Sequence, residues 1–363
     1  MQKTMNFSSE SIKYAGSKLK LLPEIMKLVE KTDSRKVLDG FSGSTRVSQV
    51  LARNGYRVIS NDKAVWSGVI GNCYLNGGDP QKYIGLIEHL NNCNPINGWF
   101  TEYYGGDKNN NGSVAKFPWQ KHNTMKLDAI RNEIANLNLS NIEKDVALTS
   151  LLLALDKVDN TMGHFSSYLR EWSNRSNNIL RMEIPKIVQS NYTHKILTGD
   201  IFAALNEEVD LAYFDPPYGS NNEKMPSSRV RYDSYYHVYK TICLNDKPEL
   251  FGKANRRVDS RDKISFSVFE DFRSNQNGKL LAHEAVSNLL EKTKAKYIIL
   301  SYSSGGKLSF EELSSLLKNN GEIIDIININ YKKNVMASML STNQWVRDNE
   351  GKHQEYLFLL QKN

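Results

Sequence analysis

The chain has 363 residues, 40% hydrophobic and 24% charged, which excludes an intrinsically disordered polypeptide and allows a sizeable core. Its 47 Lys and Arg against 40 Asp and Glu give a formal charge of +7, compatible with a polyanionic partner. Three scattered cysteines, Cys73, Cys93 and Cys243, with no CxxC pair and no histidine at ligand spacing, argue against a disulfide framework or a metal site.

Single cores stop growing at about 250–300 residues, so a main domain with a smaller companion is expected. The amino-terminal stretch lacks a signal-peptide core, and no run reaches the roughly 18 apolar residues of a membrane span. A reducing cytoplasm and no membrane contact are therefore expected.

Near the amino terminus Lys13-Tyr14-Ala15-Gly16-Ser17-Lys18 precedes an amphipathic helix starting around Leu19. Lys36-Val37-Leu38-Asp39 reads as a buried strand, and Phe41-Ser42-Gly43-Ser44 as a turn into a helix that runs through Ala52. A second strand, Arg57 to Asp62, follows. Strand, glycine turn, helix and a strand ending in an acid begin a doubly wound α/β sheet. From Asn76 to His194 the pattern changes to helical periods, strongest over Ile142 to Val158, with no convincing strand. The Gly- and Asn-rich patch Gly105 to Gly112 reads as a surface loop. Strand signals resume at Lys195–Thr198, Leu211–Phe214, Tyr297–Ser301, Ile323–Ile327 and Tyr356–Leu360. The sheet is thus interrupted by a mostly helical insertion. The expected division is 1–75 and 194–363 for the two parts of a catalytic domain and 76–193 for the insertion.

Asp215-Pro216-Pro217-Tyr218 closes an apolar strand, where open α/β sheets bind their ligands. Two prolines forgo backbone donors and stiffen the chain, so carbonyls there point in fixed directions. The amine of adenine is a poor nucleophile because its lone pair is delocalised into the ring. Drawing its hydrogens toward Asp215 and the Pro216 carbonyl would localise that pair, and Tyr218 offers a face for a base taken out of the duplex. The bland alternative is a strand-to-turn junction with a buried tyrosine.

The turn Asp39-Gly40-Phe41-Ser42-Gly43-Ser44 is not GxGxxG, and with no basic phosphate clamp it suits a cofactor without a pyrophosphate. Asp62 stands where an acid accepts ribose hydroxyls, and Asp200 where one can take a cofactor's adenine amine. A cap on the helix opening at Ile201 is the alternative for Asp200. After the DPPY, Arg229-Val230-Arg231-Tyr232-Asp233-Ser234-Tyr235-Tyr236-His237 interleaves cations with aromatics, as phosphate contact with base stacking requires; Arg256, Arg257 and Arg261 follow. A solvated loop with packed tyrosines is the competing reading, and a core or loop role is favoured for His237 over catalysis.

These residues resemble the adenine-specific DNA methyltransferases with the DPPY signature, especially the Dam-like and FokI-methylase-like branch. The likeness includes KYAGSK with LLPEI, the DGFSGS turn and FDPPY. It extends to Gly98-Trp99-Phe100 with Glu102-Tyr103-Tyr104, Asp156 to Thr161, and Tyr236-His237-Val238-Tyr239 with Thr241-Ile242. Cofactor motifs ahead of the DPPY resemble the alpha order of the class. The resemblance implies a Rossmann-like class I methyltransferase fold and S-adenosylmethionine as cofactor. Tyr14, Ala15, Gly16 and Lys18 would border its methionine end, with Asp39, Phe41, Ser42 and Gly43 lining the pocket. Asp62 would hold the ribose, Asp200 with Ile201 the cofactor adenine, and Asp215 to Tyr218 the target base. Arg229, Arg231, Tyr235, His237, Arg256 and Arg257, within a loop of about 219–262, are the candidate DNA contacts. The family turn more often has Gly after the Gly-Ser pair, whereas Thr45 follows here.

The expected activity is methylation of the N6 amine of adenine in double-stranded DNA, by a monomer within a restriction-modification system whose endonuclease is a separate protein, with an orphan regulatory methylase as the alternative. Methylation of the N4 amine of cytosine shares this chemistry, an RNA or protein-glutamine methyltransferase can use a similar motif, and a catalytically inactive DNA-binding module is the reading from another class. Ring-carbon methylation of cytosine needs a cysteine beside proline, which none of the three cysteines has.

Overall fold

The computed structural model describes residues 4–107, 117–169, 171–219, 221, 231–261, 267–330 and 354–363. In chain order its elements begin with α1 (Leu22–Val29), β1 (Lys36–Asp39), α2 (Arg46–Arg53), β2 (Arg57–Asp62) and α3 (Val65–Asn76). Next come α4 (Ile84–Asn91), α5 (Trp99–Tyr104), the two-residue strands β3 (Gly105–Gly106) and β4 (Trp119–Gln120), α6 (Lys121–Asn136) and α7 (Asn141–Lys157). Then follow β5 (Lys195–Thr198), α8 (Ile201–Ala204), β6 (Leu211–Phe214), α9 (Tyr232–Tyr235), α10 (His237–Leu244), β7 (Leu250–Phe251) and β8 (Arg256–Arg257). The chain closes with α11 (Leu281–Lys292), β9 (Tyr297–Ser303), α12 (Phe310–Asn320), β10 (Gly321–Asn330) and β11 (Gln354–Lys362). Helices alternating with mostly parallel strands are the α/β architecture expected from the sequence.

Two compact units divide the chain. The first comprises residues 1–20, 42–199 and 231–265, so the helical stretch 76–193 shares a unit with the turn after Phe41 and with the segment carrying α9 and α10. Its strands β2 and β5 are parallel, pairing Ile59 with Lys195 and Asp62 with Thr198. Helix α7 starts in a capping box in which Ser140 N–H donates to Glu143 (2.8 Å) and Glu143 N–H to the Ser140 hydroxyl (3.4 Å). The box satisfies donors that a helix start leaves open, a contribution of about 1 kcal/mol. Beyond it Val146, Leu148, Leu151, Leu152 and Leu155 are all buried, each stabilising the helix core by roughly 1.5–3 kcal/mol. The expected loop at Gly105 needs correction in part: Gly105 and Gly106 pair in parallel with Trp119 and Gln120, while 108–112 lie outside the described residues. Trp119, fully buried with its indole N–H donating to the Leu155 carbonyl (3.0 Å), anchors this pairing.

The second unit comprises residues 21–41, 200–230 and 266–363. Its strands lie in the order β10-β11-β9-β6-β1. Strands β1, β6 and β9 are parallel, with Asp39 beside Tyr213 and Phe214 beside Leu300. Leu211 to Phe214 are all buried, as an apolar run without alternation requires of a strand covered on both faces. Strand β11 is antiparallel to β9, placing Leu357 beside Ser301 and Glu355 beside Ser303. Its amino end therefore lies level with the carboxyl ends of β6 and β9.

Candidate active site

In the first unit the KYAGSK segment is an aromatic cradle. The Tyr14 ring stacks on Tyr236 (4.9 Å, 28°) and Tyr232 (5.4 Å, 27°) and tilts onto Trp66 (5.6 Å). Ala15 N–H donates to the Tyr236 hydroxyl at 2.6 Å. Gly16 has φ +82°, and a Cβ there would stand 2.9 Å from the Tyr232 hydroxyl oxygen, so glycine is needed for both conformation and space. Lys18 is buried. Lys13 ties the segment down: its N–H donates to Asp156 (3.1 Å) and its ammonium to Asp159 (2.7 Å) and to the Asp156 carbonyl. Asp159, 1% exposed, also receives Arg175 (2.8 Å) and the Thr161 hydroxyl. Burial pushes the Asp156 carboxyl up, opposed by Lys13.

The glycine turn meets this cradle within the same unit. Gly43 has φ +46°, and a Cβ there would come within 2.9 Å of the Tyr14 ring. Its N–H donates to one Asp62 oxygen (2.8 Å), and Ala64 N–H donates to the other (2.8 Å). Asp62 is thereby held rigidly at the end of β2, with a carboxylate's remaining lone pairs still able to accept. Burial raises its carboxyl above the usual range, although both backbone donors oppose the shift. Ser42 contacts the Ser67 hydroxyl (3.2 Å). Thr45 adopts φ 60°, ψ 14°, so the place where the family more often has glycine keeps the left-handed conformation that favours it.

Several expected DNA contacts require correction. His237 is fully buried, its Nε2 facing the Phe165 carbonyl (3.2 Å), and desolvation depresses it to about 3, so it is a neutral core residue. Arg257, 4% exposed, is paired with Asp246 (2.7 Å) and Asp259 (3.0 Å). Arg256 donates to the Ser234 hydroxyl and the Ser260 carbonyl and lies over the Phe251 ring (5.0 Å). Tyr235 is half-buried and stacked on His164 (4.1 Å, 17°). Arg231 is half-buried just before α9, and Arg229 lies outside the described residues. Interleaved cations and aromatics here build a packed helix junction for the most part.

In the second unit Asp39 is buried at the end of β1. Gly40 follows so closely on β6 that a Cβ would stand 2.7 Å from Phe214 and 2.8 Å from Ile201. Phe41 meets Phe214 (6.3 Å) and Phe269 (5.3 Å) edge-on. Asp200 is exposed and caps α8, accepting from Phe202 N–H at 2.8 Å, the alternative that the sequence had left open. Ile201 is buried behind it.

Asp215 follows β6 directly, half-buried, with Pro216 buried and Pro217 and Tyr218 half-buried. The Tyr218 hydroxyl bonds to Asp215 Oδ1 and also contacts Glu355 Oε1 (2.6 Å), which accepts from the Ser301 hydroxyl (2.7 Å) as well. Burial, then the charges of Asp215 and Glu355, push the Tyr218 phenol well above its usual range, so it is a neutral hydroxyl. Its ring packs on Tyr302 (4.9 Å, 53°), and its carbonyl accepts from Lys307 N–H (2.8 Å). Glu355 and Ser301 escape sequence reasoning because Glu355 is 137 residues from its tyrosine and no local pattern marks either.

Among the described residues, no group of three or more His, Cys, Asp or Glu could hold a metal ion, and no helix is long and apolar enough to cross a membrane.

The modification methylase StsI of Streptococcus sanguinis is 29% identical over 340 residues, 89% of this chain and 48% of that one. The type II methyltransferase M.FokI of Planomicrobium okeanokoites is 27% identical over 339 residues, 89% of this chain and 49% of its own length. The chain thus spans about half the length of these two relatives. The type II methyltransferase M.CviAII of Paramecium bursaria Chlorella virus 1 is 28% identical over 332 residues and is itself covered to 92%. The family described as D12 class N6 adenine-specific DNA methyltransferase matches residues 14–304, from the tyrosine of the cradle past the DPPY corner to the end of β9, and the chain belongs to it.

Proposed function

We propose that this chain transfers a methyl group from S-adenosylmethionine to the N6 amine of adenine in double-stranded DNA. The observation that carries the reading is the DPPY corner: an acid fixed by a neutral tyrosine hydroxyl at the carboxyl end of β6, followed by two prolines. The first unit fits the cofactor. Glycines at Gly16 and Gly43 leave room where side chains would collide, stacked tyrosines favour a cationic neighbour, and Asp62 is oriented to accept hydroxyls. By family likeness Tyr14, Ala15, Gly16, Lys18, Asp39, Phe41, Ser42 and Gly43 line that pocket, while Asp200 and Ile201 meet the cofactor adenine.

The bound cofactor supplies a methyl group on a sulfonium whose sulfur leaves as a neutral thioether. Asp215 and the Pro216 carbonyl accept the two amine hydrogens and localise the nitrogen lone pair, which forms the new nitrogen–carbon bond. The surplus proton then leaves the amine. Tyr218 holds the extruded base, and the protein's contribution is chiefly orientation. The names of StsI and M.FokI support a place in a restriction-modification system; a separate endonuclease and a monomer acting on DNA belong to the same proposal. The free thiols of Cys73, Cys93 and Cys243 suit a reducing cytoplasm. The helical stretch 76–193 and the loop after the DPPY are the proposed readers of sequence.

The test is Asp215→Ala with labelled cofactor and duplex DNA digested to nucleosides. The wild type is expected to yield N6-methyladenine, and the variant to lose at least about 1,000-fold in rate, as for removal of a preorganised polar group, while still binding cofactor. Label in N4-methylcytosine, or undiminished turnover in the variant, overturns the assignment.

A further inference from the structure

The DPPY corner is completed by residues outside it. Phe214 pairs with Leu300, so the next residue along each chain brings Asp215, just past β6, level with Ser301 inside β9. Strand β11 runs the opposite way on the far side of β9 and delivers Glu355 to the same edge. There Glu355 is 5% exposed, and one of its oxygens, Oε1, contacts both the Tyr218 hydroxyl (2.6 Å) and the Ser301 hydroxyl (2.7 Å). Tyr218 in turn bonds to Asp215 Oδ1. Burying a carboxyl is costly unless its hydrogen bonds are met. Here Ser301 donates one of them, and the single Tyr218 proton is shared between Glu355 and the DPPY acid.

The tyrosine cannot simply swing away from this arrangement. Its ring lies against Tyr302, its carbonyl accepts from Lys307, and a Cβ at Gly306 would stand 2.9 Å from its own Cβ. Those contacts fix the ring, while the direction of the hydroxyl is left to the carboxyl groups around it.

We infer that Glu355 is a positioning residue for methyl transfer: with Ser301 beside it, it takes a share of the single Tyr218 proton, and through that sharing it sets the rotamer in which Asp215 meets the substrate amine. This rests on the reading of Asp215 as the acceptor of an amine hydrogen. A misplacement of about 1 Å in a reacting group can cost on the order of 100-fold in rate, so an indirect support of this kind acts on turnover more than on binding.

The experiment is a double-substitution cycle with crystal structures. Glu355→Ala should lower kcat by about 10- to 100-fold and leave KM for cofactor and for DNA within about twofold. Glu355→Gln, whose amide oxygen can still accept from Tyr218 and Ser301, should recover the rate to within about fivefold of wild type. In a Tyr218→Phe background, where the link is already cut, Glu355→Ala should cost nothing more. The crystal structure of Glu355→Ala should show the Asp215 side chain turned from its wild-type rotamer.

Unchanged kcat in Glu355→Ala, an equal cost with and without the Tyr218 hydroxyl, or an unmoved Asp215 overturns the inference. Should Glu355→Ala not fold, Glu355→Leu, which refills the volume, takes its place in the same cycle. A wild type that never methylates DNA rejects the proposed reaction and with it the role in methyl transfer, whereas a displaced Asp215 in the variant still shows the link from Glu355 to the DPPY acid.

Discussion

The aromatic cradle of the first unit and the DPPY corner of the second each present an acid, and they are held in opposite ways. Asp62 is gripped by two backbone N–H groups, from Gly43 and Ala64, one of them two residues away. Asp215 is gripped by a side chain whose own hydroxyl contacts Glu355, 137 residues further along. Backbone donors are fixed once the local chain folds, whereas a side-chain relay depends on several rotamers at once. The first arrangement favours a permanent binding site, and the second an acid whose orientation can be tuned by distant substitutions.

The largest effect that would sharpen this contrast is expected from Asp62→Asn. An amide has one carbonyl oxygen where the carboxylate has two, so either the Gly43 or the Ala64 donor loses its partner, at about 1–3 kcal/mol. Cofactor affinity measured by calorimetry should fall about 10-fold or more, with little change in kcat at saturating cofactor. A fall in kcat alone would break the division between a binding acid and a transfer acid.

Acid sensitivity comes next. His237 lies beside Tyr236, whose hydroxyl receives Ala15 N–H, and burial lowers it from an ordinary 6.5 to about 3. Below pH 6.5 the unfolded chain binds a proton that the folded chain does not, so this contribution is whole at neutral pH and is lost as pH falls from 6.5 toward 3. His194, lowered to about 4, acts in the same direction. His237→Gln should reduce the slope of unfolding free energy against pH by up to about 1.4 kcal/mol per pH unit between pH 6 and 5, read from urea titrations. An unaltered slope would show that the histidine is not buried neutral.

The smallest effect is expected at Thr45. A β-branched residue in the left-handed region costs about 1–3 kcal/mol, partly offset here by the Thr45 hydroxyl, which accepts from the Gln49 side chain at 3.2 Å. Thr45→Gly should therefore raise stability by about 1 kcal/mol or less, seen as a higher urea midpoint with an unchanged slope. Destabilisation would mean that the threonine packs better than its backbone is strained.

Sequence reading succeeded where order is local. Strands β1, β2, β5 and β6 were legible to the residue because each is a short apolar run with a turn signal at its end, and Asp62 and Gly43 sit at fixed offsets from those ends. It failed where a residue's direction decides its role. Arg256, Arg257 and His237 have the composition of a nucleic-acid face, yet α10 turns His237 and Thr241 inward, and Arg257 follows them onto Asp246. Composition cannot say which way a side chain points. Glu355 was invisible for a different reason: its partner is defined only once β11 has found its register on β9.

That register has a consequence for synthesis. A ribosome that has polymerised the chain as far as β10 has already made every residue of the DPPY corner except the glutamate that steadies it. Until β11 slots between its two neighbours, β9 keeps an unpaired edge and Asp215 lacks its distant brace. An unfinished polypeptide can thus carry the recognisable DPPY signature before its acid is braced.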